Sequence, residues 1–348
     1  MQATTTPASS AEPLRRGARD GFETVTLAAG DLAAEFAPAA GMAGVSLRHV
    51  GEELLDRRDG LQAYVERGAV MGIPILHPWA NRLAGFDFAV DRRAVRLPDG
   101  PPLVRCEEHG LPIHGLVSGS PDWHVHVASP HGDAARLSAV LDFDTRPELL
   151  AAFPFPHRLR LDATLDAGGL TIATTLAPTG DVAVPVSFGF HPYLRLPGVD
   201  RSTWQVALPA RRYLFTDARS IPTGDYEAEH AADLTLGTRG FDDGFDRIAA
   251  GAEFAVAGGG RRLTVTFMEG YTAAQVFSPP GAQFICFEPM TAPTNALRSG
   301  DGLRRVAPGR AFTAVFRIGV GPAEDGRMAR AFRNDRQAWR DSRAITRR

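Results

Sequence analysis

Short apolar runs that alternate with polar residues, each cut off by glycine or proline, are the feature that most constrains this chain. The runs begin near residue 23 and continue to about residue 320, and the 348 residues include 36 glycines and 26 prolines. A side-chain period of two is typical of strands with one buried face. Strands do not alternate with helical segments, which argues against a βαβ fold. The pattern predicts an all-β protein, a large antiparallel β-sandwich with few short helices.

Three hairpins and a final strand are predicted from paired runs that flank turn-forming residues. The paired runs are residues 86–90 with 94–97, 159–165 with 170–174, and 254–256 with 263–267. Glycines lie in the second and third turns, where a positive φ is commonly needed. The last strand is predicted at residues 312–318.

The chain is interpreted as one domain with a segment at each end. Residues 1–20 are rich in Ala, Thr, Ser, Pro and Arg without a period, which predicts a disordered leader. Residues 21–321 show no internal repeat and are read as a single β-sandwich domain. Residues 322–348 form a basic tail in which positions from Met328 to Trp339 fall at helical spacing. A short amphipathic helix and a frayed tail are both compatible with this spacing.

Composition excludes several classes of function. The chain contains no lysine, so lysine Schiff-base enzymes and a Walker-type phosphate loop are ruled out. A net charge of −2 gives no general reason to bind nucleic acid or acidic membranes. Two cysteines, Cys106 and Cys286, cannot form a disulfide framework or a four-cysteine zinc site. No apolar run approaches a membrane span and no signal-peptide core is found, so a cytoplasmic location is expected.

A histidine and a glutamate at strand ends are the main candidates for catalysis. His191 follows an apolar run that begins at Val184 and is ended by Pro192, and it lies between aromatic residues. Glu288 follows the apolar run 283–287, where a buried carboxylate needs either a partner or a function. Brought together in a pocket, these two side chains move protons near neutral pH without a cofactor. The alternatives are a strand-capping histidine and a glutamate paired with an arginine.

Other polar segments fit a sugar site less specifically. Asn81 and Arg82 follow Trp79, a combination suited to sugar faces and hydroxyls. His114 stands beside a glycine, and Asp242 and Asp243 lie between two phenylalanines. Each of these segments is also compatible with an ordinary loop or turn. His124 and His126 share a strand face. No third histidine or carboxylate follows at a sequence spacing typical of a metal site, so no metal is predicted.

Taken together, five segments resemble the ordered motif set of the aldose 1-epimerases, the galactose mutarotase family. They span about 210 residues, and the strand-rich flanks fit the rest of residues 21–321. The segments are Asn81-Arg82, His114-Gly115, residues 189–193, Phe241-Asp242 and Glu288-Pro289.

The resemblance implies a β-sandwich enzyme that interconverts α and β anomers of a free aldohexose without cofactor or metal. It implies that Glu288 is the general base on the C1 hydroxyl and His191 the general acid on the ring oxygen. It makes His114 the second catalytic histidine, near the ring oxygen, and it places Arg82 and Asp242 at the sugar hydroxyls. The resemblance assigns Asn81 to the sugar hydroxyls less firmly. Asp243 takes the role of Asp242 if the alignment to the family is shifted by one residue.

Two features keep other interpretations open. Leu116 stands where better-known galactose mutarotases often carry a second glycine, so a preference for galactose is not implied. A hexose-6-phosphate 1-epimerase on the same fold would need an arginine-rich phosphate pocket; the candidates are Arg82, Arg195, Arg211 and Arg212. A sugar-binding protein without turnover is the non-enzymatic alternative. A small-molecule sugar is the expected partner, and the chain is expected to be a monomer or a homodimer.

Overall fold

The computed structural model describes residues 13–100, 103–131 and 133–323, and within them the chain is mostly strand. The first nine strands are β1 (Leu14–Arg19), β2 (Phe22–Ala29), β3 (Leu32–Ala37), β4 (Ala43–His49), β5 (Glu52–Glu53), β6 (Ile75–Leu76), β7 (Asp87–Val90), β8 (Arg93–Arg96) and β9 (His124–His131). The next nine are β10 (Ala134–Asp142), β11 (His157–Asp166), β12 (Gly169–Pro178), β13 (Val184–Val186), β14 (Gly189–Phe190), β15 (Tyr193–Leu194), β16 (Gln205–Leu208), β17 (Arg211–Thr216) and β18 (Pro222–Glu229). The last eight are β19 (Ala232–Thr235), β20 (Phe241–Asp246), β21 (Ala252–Gly258), β22 (Arg261–Glu269), β23 (Ala273–Ser278), β24 (Ile285–Met290), β25 (Arg304–Val306) and β26 (Phe312–Pro322).

Helices are few and short in the described residues, as predicted. The α-helices are α1 (Gly60–Arg67), α2 (Pro147–Ala152) and α3 (Ala296–Ser299). Single turns of 3-10 helix are found at Pro38–Ala40, Phe143–Thr145 and Arg201–Thr203. Within the part of the chain that the structure describes, no helix has the length and apolar character needed to cross a bilayer.

Two large antiparallel sheets make up most of the fold, together with a smaller five-stranded sheet. The nine-stranded sheet runs β19-β16-β21-β22-β26-β12-β11-β10-β9. The eight-stranded sheet runs β18-β17-β20-β23-β24-β14-β6, with β15 also paired to β24. The smaller sheet runs from β1 to β5 in chain order, and β7-β8 and β13-β25 are two-stranded ribbons. The predicted all-β antiparallel class is confirmed.

The two large sheets pack face to face through phenylalanines. The ring of Phe254 on β21 lies 5.7 Å from that of Phe287 on β24, and the ring of Phe190 on β14 lies 5.0 Å from that of Phe316 on β26. All four rings are buried. Buried and more exposed residues alternate along β11, β12 and β22, which is the pattern expected for strands with one face on this core.

The three predicted hairpins are confirmed as β7-β8, β11-β12 and β21-β22. Their strands are longer than predicted at several ends, because backbone pairing continues beyond the apolar run. The β21-β22 turn is made by Gly259 and Gly260, with φ of 58° and 76°. This is a left-handed conformation that glycine adopts without strain.

The predicted disordered leader is wrong for residues 14–19. These residues form β1, which pairs along its whole length with β2, and the guanidinium of Arg19 forms an ion pair of 2.6 Å with Glu35. Most of β1 is exposed, so it carries little apolar signal; an edge strand is held by backbone hydrogen bonds that composition does not reveal. Residues 1–12 and the predicted tail helix from residue 328 lie outside the described residues.

Candidate active site

Glu288 faces away from the sandwich core because its neighbour faces into it. Phe287 packs on Phe254 of the other large sheet, and successive residues of a strand point to opposite faces. Glu288 is nevertheless only 1% exposed, and the loop residue Arg82 lies close enough to influence its pKa. Gln275 lies directly opposite Glu288 on the neighbouring strand β23. The apolar run before Glu288 therefore marks a fully buried strand with one charged position.

His191 reaches Glu288 because β14 lies beside β24. Gly189 pairs with both Met290 and β6, and a Cβ on Gly189 would lie 2.7 Å from the carbonyl oxygen of Pro289. Glycine at this position thus permits the close approach of the two strands. The Nε2 atom of His191 lies 3.2 Å from Oε1 of Glu288. The structure brings the two predicted catalytic side chains into contact.

Aromatic rings fix the orientation of the His191 imidazole. The ring stacks on Tyr193 with centroids 4.5 Å apart and planes 3° from parallel, and the edge of Phe277 lies against it at 5.8 Å. The hydroxyl of Tyr193 is 3.5 Å from Nε2 of His191. His191 itself is 4% exposed. The motif residues around His191 therefore hold its ring against the neighbouring aromatic side chains.

Burial favours the uncharged form of both Glu288 and His191. Loss of hydration raises the pKa of Glu288 well above its ordinary value; nearby Asp242 raises it further and Arg82 opposes this. Loss of hydration also lowers the pKa of His191 well below its ordinary value, and His114 adds to the effect. Both shifts favour placing a proton shared by the pair on Glu288 rather than on His191. Oε2 of Glu288 is buried without a hydrogen-bond partner, which leaves one acceptor for a ligand.

A tight loop positions His114 next to His191. His114 and Gly115 have φ of 62° and 74°, and a Cβ on Gly115 would lie 2.1 Å from the carbonyl oxygen of His77. The rings of His114 and His191 meet edge to face, with centroids 5.5 Å apart. Part of His114 remains exposed, but its Nδ1 atom is buried without a partner. Burial, assisted by the guanidinium groups of Arg82 and Arg105, lowers the pKa of His114 to about 3, so its imidazole is neutral.

Arg82 is held by a network that includes the residue before it. The side-chain oxygen of Asn81 accepts hydrogen bonds from the backbone N–H of Arg82 at 2.8 Å and from its Nη1 at 3.1 Å. Carboxylates of Glu107 and Asp242 lie 3.4 and 3.8 Å from the guanidinium. Asn81 has φ of 57° and is 4% exposed. In this structure Asn81 orients Arg82, and the guanidinium faces the site.

Of the two neighbouring aspartates, Asp242 faces Glu288 and Arg82. It lies within 3.8 Å of Arg82, accepts a hydrogen bond of 2.7 Å from Nε2 of Gln275, and raises the pKa of Glu288. Asp243 is the next residue of β20, so its side chain points to the other face of the strand. The alternatives left open by the sequence are separated here by strand geometry.

Sequence reasoning missed two members of this cluster. Gln275 is 5% exposed and joins Asp242 to the strand position opposite Glu288. Glu107 pairs with Arg82, and its other oxygen accepts from the backbone N–H groups of two nearby residues. Gln275 lies in a strand and carried no local signal, because its role depends on the residues that lie near it on the neighbouring strands. Glu107 lies in a polar loop that carried no signal.

Burial accounts for Cys286, and existing hydrogen bonds account for the Glu107 carboxylate in the one group of possible metal ligands found in the described residues. Cys286 is 0% exposed, and burial raises the pKa of its thiol well above the ordinary value, which fits the predicted role as a small buried side chain. Among the described residues, Glu107, Glu108 and His109 bring possible metal ligands together, but the Glu107 carboxylate is already engaged by Arg82 and by backbone N–H groups. The buried cluster around Glu288 offers acid–base groups and hydrogen-bond donors. These groups are suited to binding a ligand that carries several hydroxyls.

Comparisons with known proteins agree with the predicted family. A model of the aldose 1-epimerase family matches residues 24–319. The uncharacterized protein YihR of Escherichia coli is 26% identical over 259 residues, which cover 70% of this chain and 77% of YihR. The structure of a galactose mutarotase-like protein from Clostridium acetobutylicum matches with a TM-score of 0.79 at 19% identity, over 89% of this chain and 98% of that one. Galactose 1-epimerase from Lactobacillus acidophilus matches with a TM-score of 0.70 at 16% identity, over 89% of this chain and 98% of that one.

Proposed function

Because the chain belongs to the aldose 1-epimerase family, we propose that it interconverts the α and β anomers of a free aldohexose by acid–base ring opening and reclosure. The observation that carries this proposal is the 3.2 Å contact between Nε2 of His191 and Oε1 of Glu288 inside a buried, arginine-lined site. A binding protein needs neither a buried acid nor a buried base, whereas hemiacetal opening needs one of each.

Each step requires one proton removed and one delivered. The Glu288 carboxylate takes the proton of the C1 hydroxyl, C1 becomes a carbonyl, and the bond from C1 to the ring oxygen breaks. The electron pair goes to the ring oxygen, which His191 protonates. After rotation about C1–C2, neutral His191 takes that proton back and protonated Glu288 returns its own to the carbonyl oxygen as the ring closes on the other face.

The resting protonation state of the pair matches one half of this cycle. With the proton on Glu288 and His191 neutral, the pair is ready for ring closure. Transfer of that proton from Glu288 to His191 gives the form needed for ring opening with no change in net charge. A bound sugar that donates to Glu288, and the guanidinium of Arg82, both favour the carboxylate form. The same pair therefore serves both directions.

Arg82, Asp242 and His114 are proposed to hold the sugar. Arg82 and Asp242 lie beside one another at the open side of Glu288, where they offer donors and acceptors to hydroxyls. The neutral imidazole of His114 lies against His191, and we propose that it contacts the ring oxygen. Gln275 fixes the carboxylate of Asp242 and thereby its direction toward the sugar.

Polarimetry of freshly dissolved α-D-glucose and α-D-galactose at pH 7 tests the proposal. We expect the protein to speed the approach to an unchanged final rotation. If it accelerates no aldose and no sugar phosphate but still binds sugar saturably, the enzyme assignment is wrong and the chain is a sugar-binding protein.

A second candidate, an epimerase for an anionic aldose such as a hexose 6-phosphate, is favoured by one arginine that the sequence did not single out. The guanidinium carbon of Arg58 lies 5.7 Å from the ring centre of Tyr193 and 5.1 Å from that of Phe284. Its charge lowers the pKa of His191 after the larger effects of burial and of His114. No carboxylate within the described ranges lies at ion-pair distance from it. An unpaired cation near the proposed ring-oxygen side of the site suits an anionic group on the sugar.

Three of the four arginines predicted as phosphate ligands are already paired with carboxylates. Arg82 pairs with Glu107, Arg211 with Glu229, and Arg212 with Asp246. Arg58→Gln therefore separates the two candidates, with its exposed neighbour Arg57→Gln as the matched control. If the substrate is anionic, only Arg58→Gln raises KM, and only for glucose 6-phosphate. If glucose 6-phosphate is no better a substrate than glucose and Arg58→Gln changes neither, the free aldose assignment stands.

A further inference from the structure

A second pair of buried histidines lies behind the loops of the candidate site. The Nε2 atoms of His77 and His157 are 2.8 Å apart, although the residues are 80 positions apart in the chain. They are 1% and 0% exposed. Phe143 stacks on His157 with ring centres 4.3 Å apart, and Phe153 lies edge-on to both histidines.

The hydrogen bonds of this pair fix the protonation of both rings. Nδ1 of His157 lies 2.6 Å from the carbonyl oxygen of Phe155, so it carries a proton and donates. In a neutral imidazole the other nitrogen is then an acceptor. Nε2 of His157 therefore accepts from Nε2–H of His77, and the pair forms a directed chain from His77 through His157 to the backbone. Flipping either ring would break its hydrogen bond, and the apolar surroundings offer no replacement.

The backbone of His77 is joined to both loops that supply polar residues to the site. Its carbonyl oxygen accepts hydrogen bonds from the N–H groups of Leu116 at 2.7 Å and Val117 at 3.3 Å, and the residue pairs with Gly115 as a short parallel bridge. These contacts hold the loop that carries His114. In the other direction, four residues lead from His77 to Arg82.

His157 is a rigid support for this arrangement. It is the first residue of β11, which is paired on one side with β10 and on the other with β12 inside the nine-stranded sheet. His77 immediately follows β6, the edge strand of the eight-stranded sheet. The contact between the two imidazoles thus links an interior strand of the nine-stranded sheet to the loop that follows the edge strand of the eight-stranded sheet.

We propose that His157 is a positioning residue for the sugar site: through its hydrogen bond to His77 it holds the two loops that place Arg82 and His114. Its effect on turnover rests on the proposed epimerase function. Its effect on the loops does not. A displacement of about 1 Å in such groups is enough to lower catalytic efficiency by about a hundredfold.

Two amide substitutions at position 157 test this inference. Glutamine places its amide oxygen where Nε2 of histidine lies, so His157→Gln keeps an acceptor for His77. Asparagine is shorter and reaches the position of Nδ1 only, so His157→Asn loses the bond to His77. We expect the amides of Leu116 and Val117 to exchange hydrogen at least about tenfold faster in His157→Asn than in the wild type. We expect kcat/KM to fall about tenfold to a hundredfold, mainly through KM, because the contact between Glu288 and His191 is unchanged.

Rescue by the longer amide separates positioning from general destabilisation. His157→Gln should stay within about threefold of the wild type in both measurements. Tyr271→Phe is the control for a lost polar atom at similar depth: it lies 2% exposed in the core and should change neither the exchange of the two amides nor KM. Equal behaviour of the asparagine and glutamine variants, or faster exchange without a change in kcat/KM, would overturn the inference.

Two further outcomes are informative. If the wild type accelerates no sugar, the proposed function fails, and the exchange of Leu116 and Val117 alone decides whether His157 holds the loop. If His157→Asn does not fold, the comparison is made from the other partner, with His77→Gln expected to resemble the wild type and His77→Asn expected to loosen both loops. Equal exchange in those two variants overturns the inference.

Discussion

Two pairs of buried titratable side chains lie next to the same loops, and they differ in what surrounds them. Glu288 and His191 meet at 3.2 Å, with a carboxylate oxygen left unpaired and with Arg82 and Asp242 close by. His77 and His157 meet at 2.8 Å inside phenylalanine rings. Burial lowers the pKa of all three histidines. Burial alone therefore does not identify a catalytic group; the unpaired atom and the neighbouring charges do.

The difference also explains how each pair is used. A proton can move between Glu288 and His191 because the two groups are of different kinds and a charged neighbour stabilises the carboxylate form. Between two histidines in an apolar box, a proton added to either ring would be a buried charge with no counterion. The first pair is suited to proton transfer and the second to holding a fixed geometry.

The largest expected effect comes from removing the acid or the base. Glu288→Gln and His191→Asn should each lower kcat by about 10²–10⁴-fold, the usual contribution of one acid–base group, while the protein stays folded. The matched control is Glu35→Gln, because Glu35 is also buried but is paired with Arg19 in another sheet. Polarimetry measures kcat and circular dichroism measures folding. Near-normal turnover in either variant would show that its role is wrongly assigned.

A smaller effect separates two neighbouring carboxylates. Asp242→Asn should raise KM about tenfold, because its carboxylate faces Arg82 and Gln275 and is proposed to bind the sugar. Asp243→Asn, on the opposite face of β20, should change KM by less than about twofold. Substrate titrations of the two variants measure this ratio. A larger effect at Asp243 would reverse the assignment made from strand geometry.

The pH dependence of turnover tests where the shared proton of the Glu288–His191 pair resides. The working pair carries one proton, so activity falls when His191 gains a second proton or when Glu288 loses the first. With the shared proton on Glu288, the acid limb follows the pKa of His191, which burial lowers well below its ordinary value, and the alkaline limb follows the pKa of Glu288, which burial raises well above its ordinary value. A profile of kcat/KM from acid to alkaline pH checks this. An acid limb at or above pH 6.5 would contradict the proposed location of the shared proton on Glu288.

The second pair predicts a loss of stability in acid that is independent of catalysis. Burial lowers the pKa of His157 from 6.5 to about 4, so the unfolded chain binds this proton first and the free energy of unfolding falls as the pH drops from 6.5 to 4. The fall attributable to His157 is roughly 3 kcal/mol. Urea unfolding at pH 7 and at pH 4 should show a smaller decrease for His157→Gln, which does not titrate. Equal decreases would mean that His157 does not titrate differently in the two states.

Family motifs carried the site further than residue chemistry alone. Taken individually, Glu288, His191 and Arg82 each had an ordinary structural interpretation, and the structure shows that the first two meet and the third lies beside them. Their roles in turnover stay predictions, as do the cytoplasmic location, the monomeric or dimeric state and the single-domain reading. Gln275 could not be singled out, because its importance depends on which residues lie opposite it on β20 and β24.

The sequence by itself determined the strand class and the three hairpins. These depend on side-chain alternation and on turn residues, which act over a few positions. Only the tertiary structure decided that β14 lies beside β24, that β1 belongs to a sheet, and that His77 meets His157. Such contacts depend on strand register and on the packing of one sheet on another, which join distant parts of the chain and leave no local pattern. The same packing removes water from Glu288 and His191, and so sets the protonation on which the proposed reaction depends.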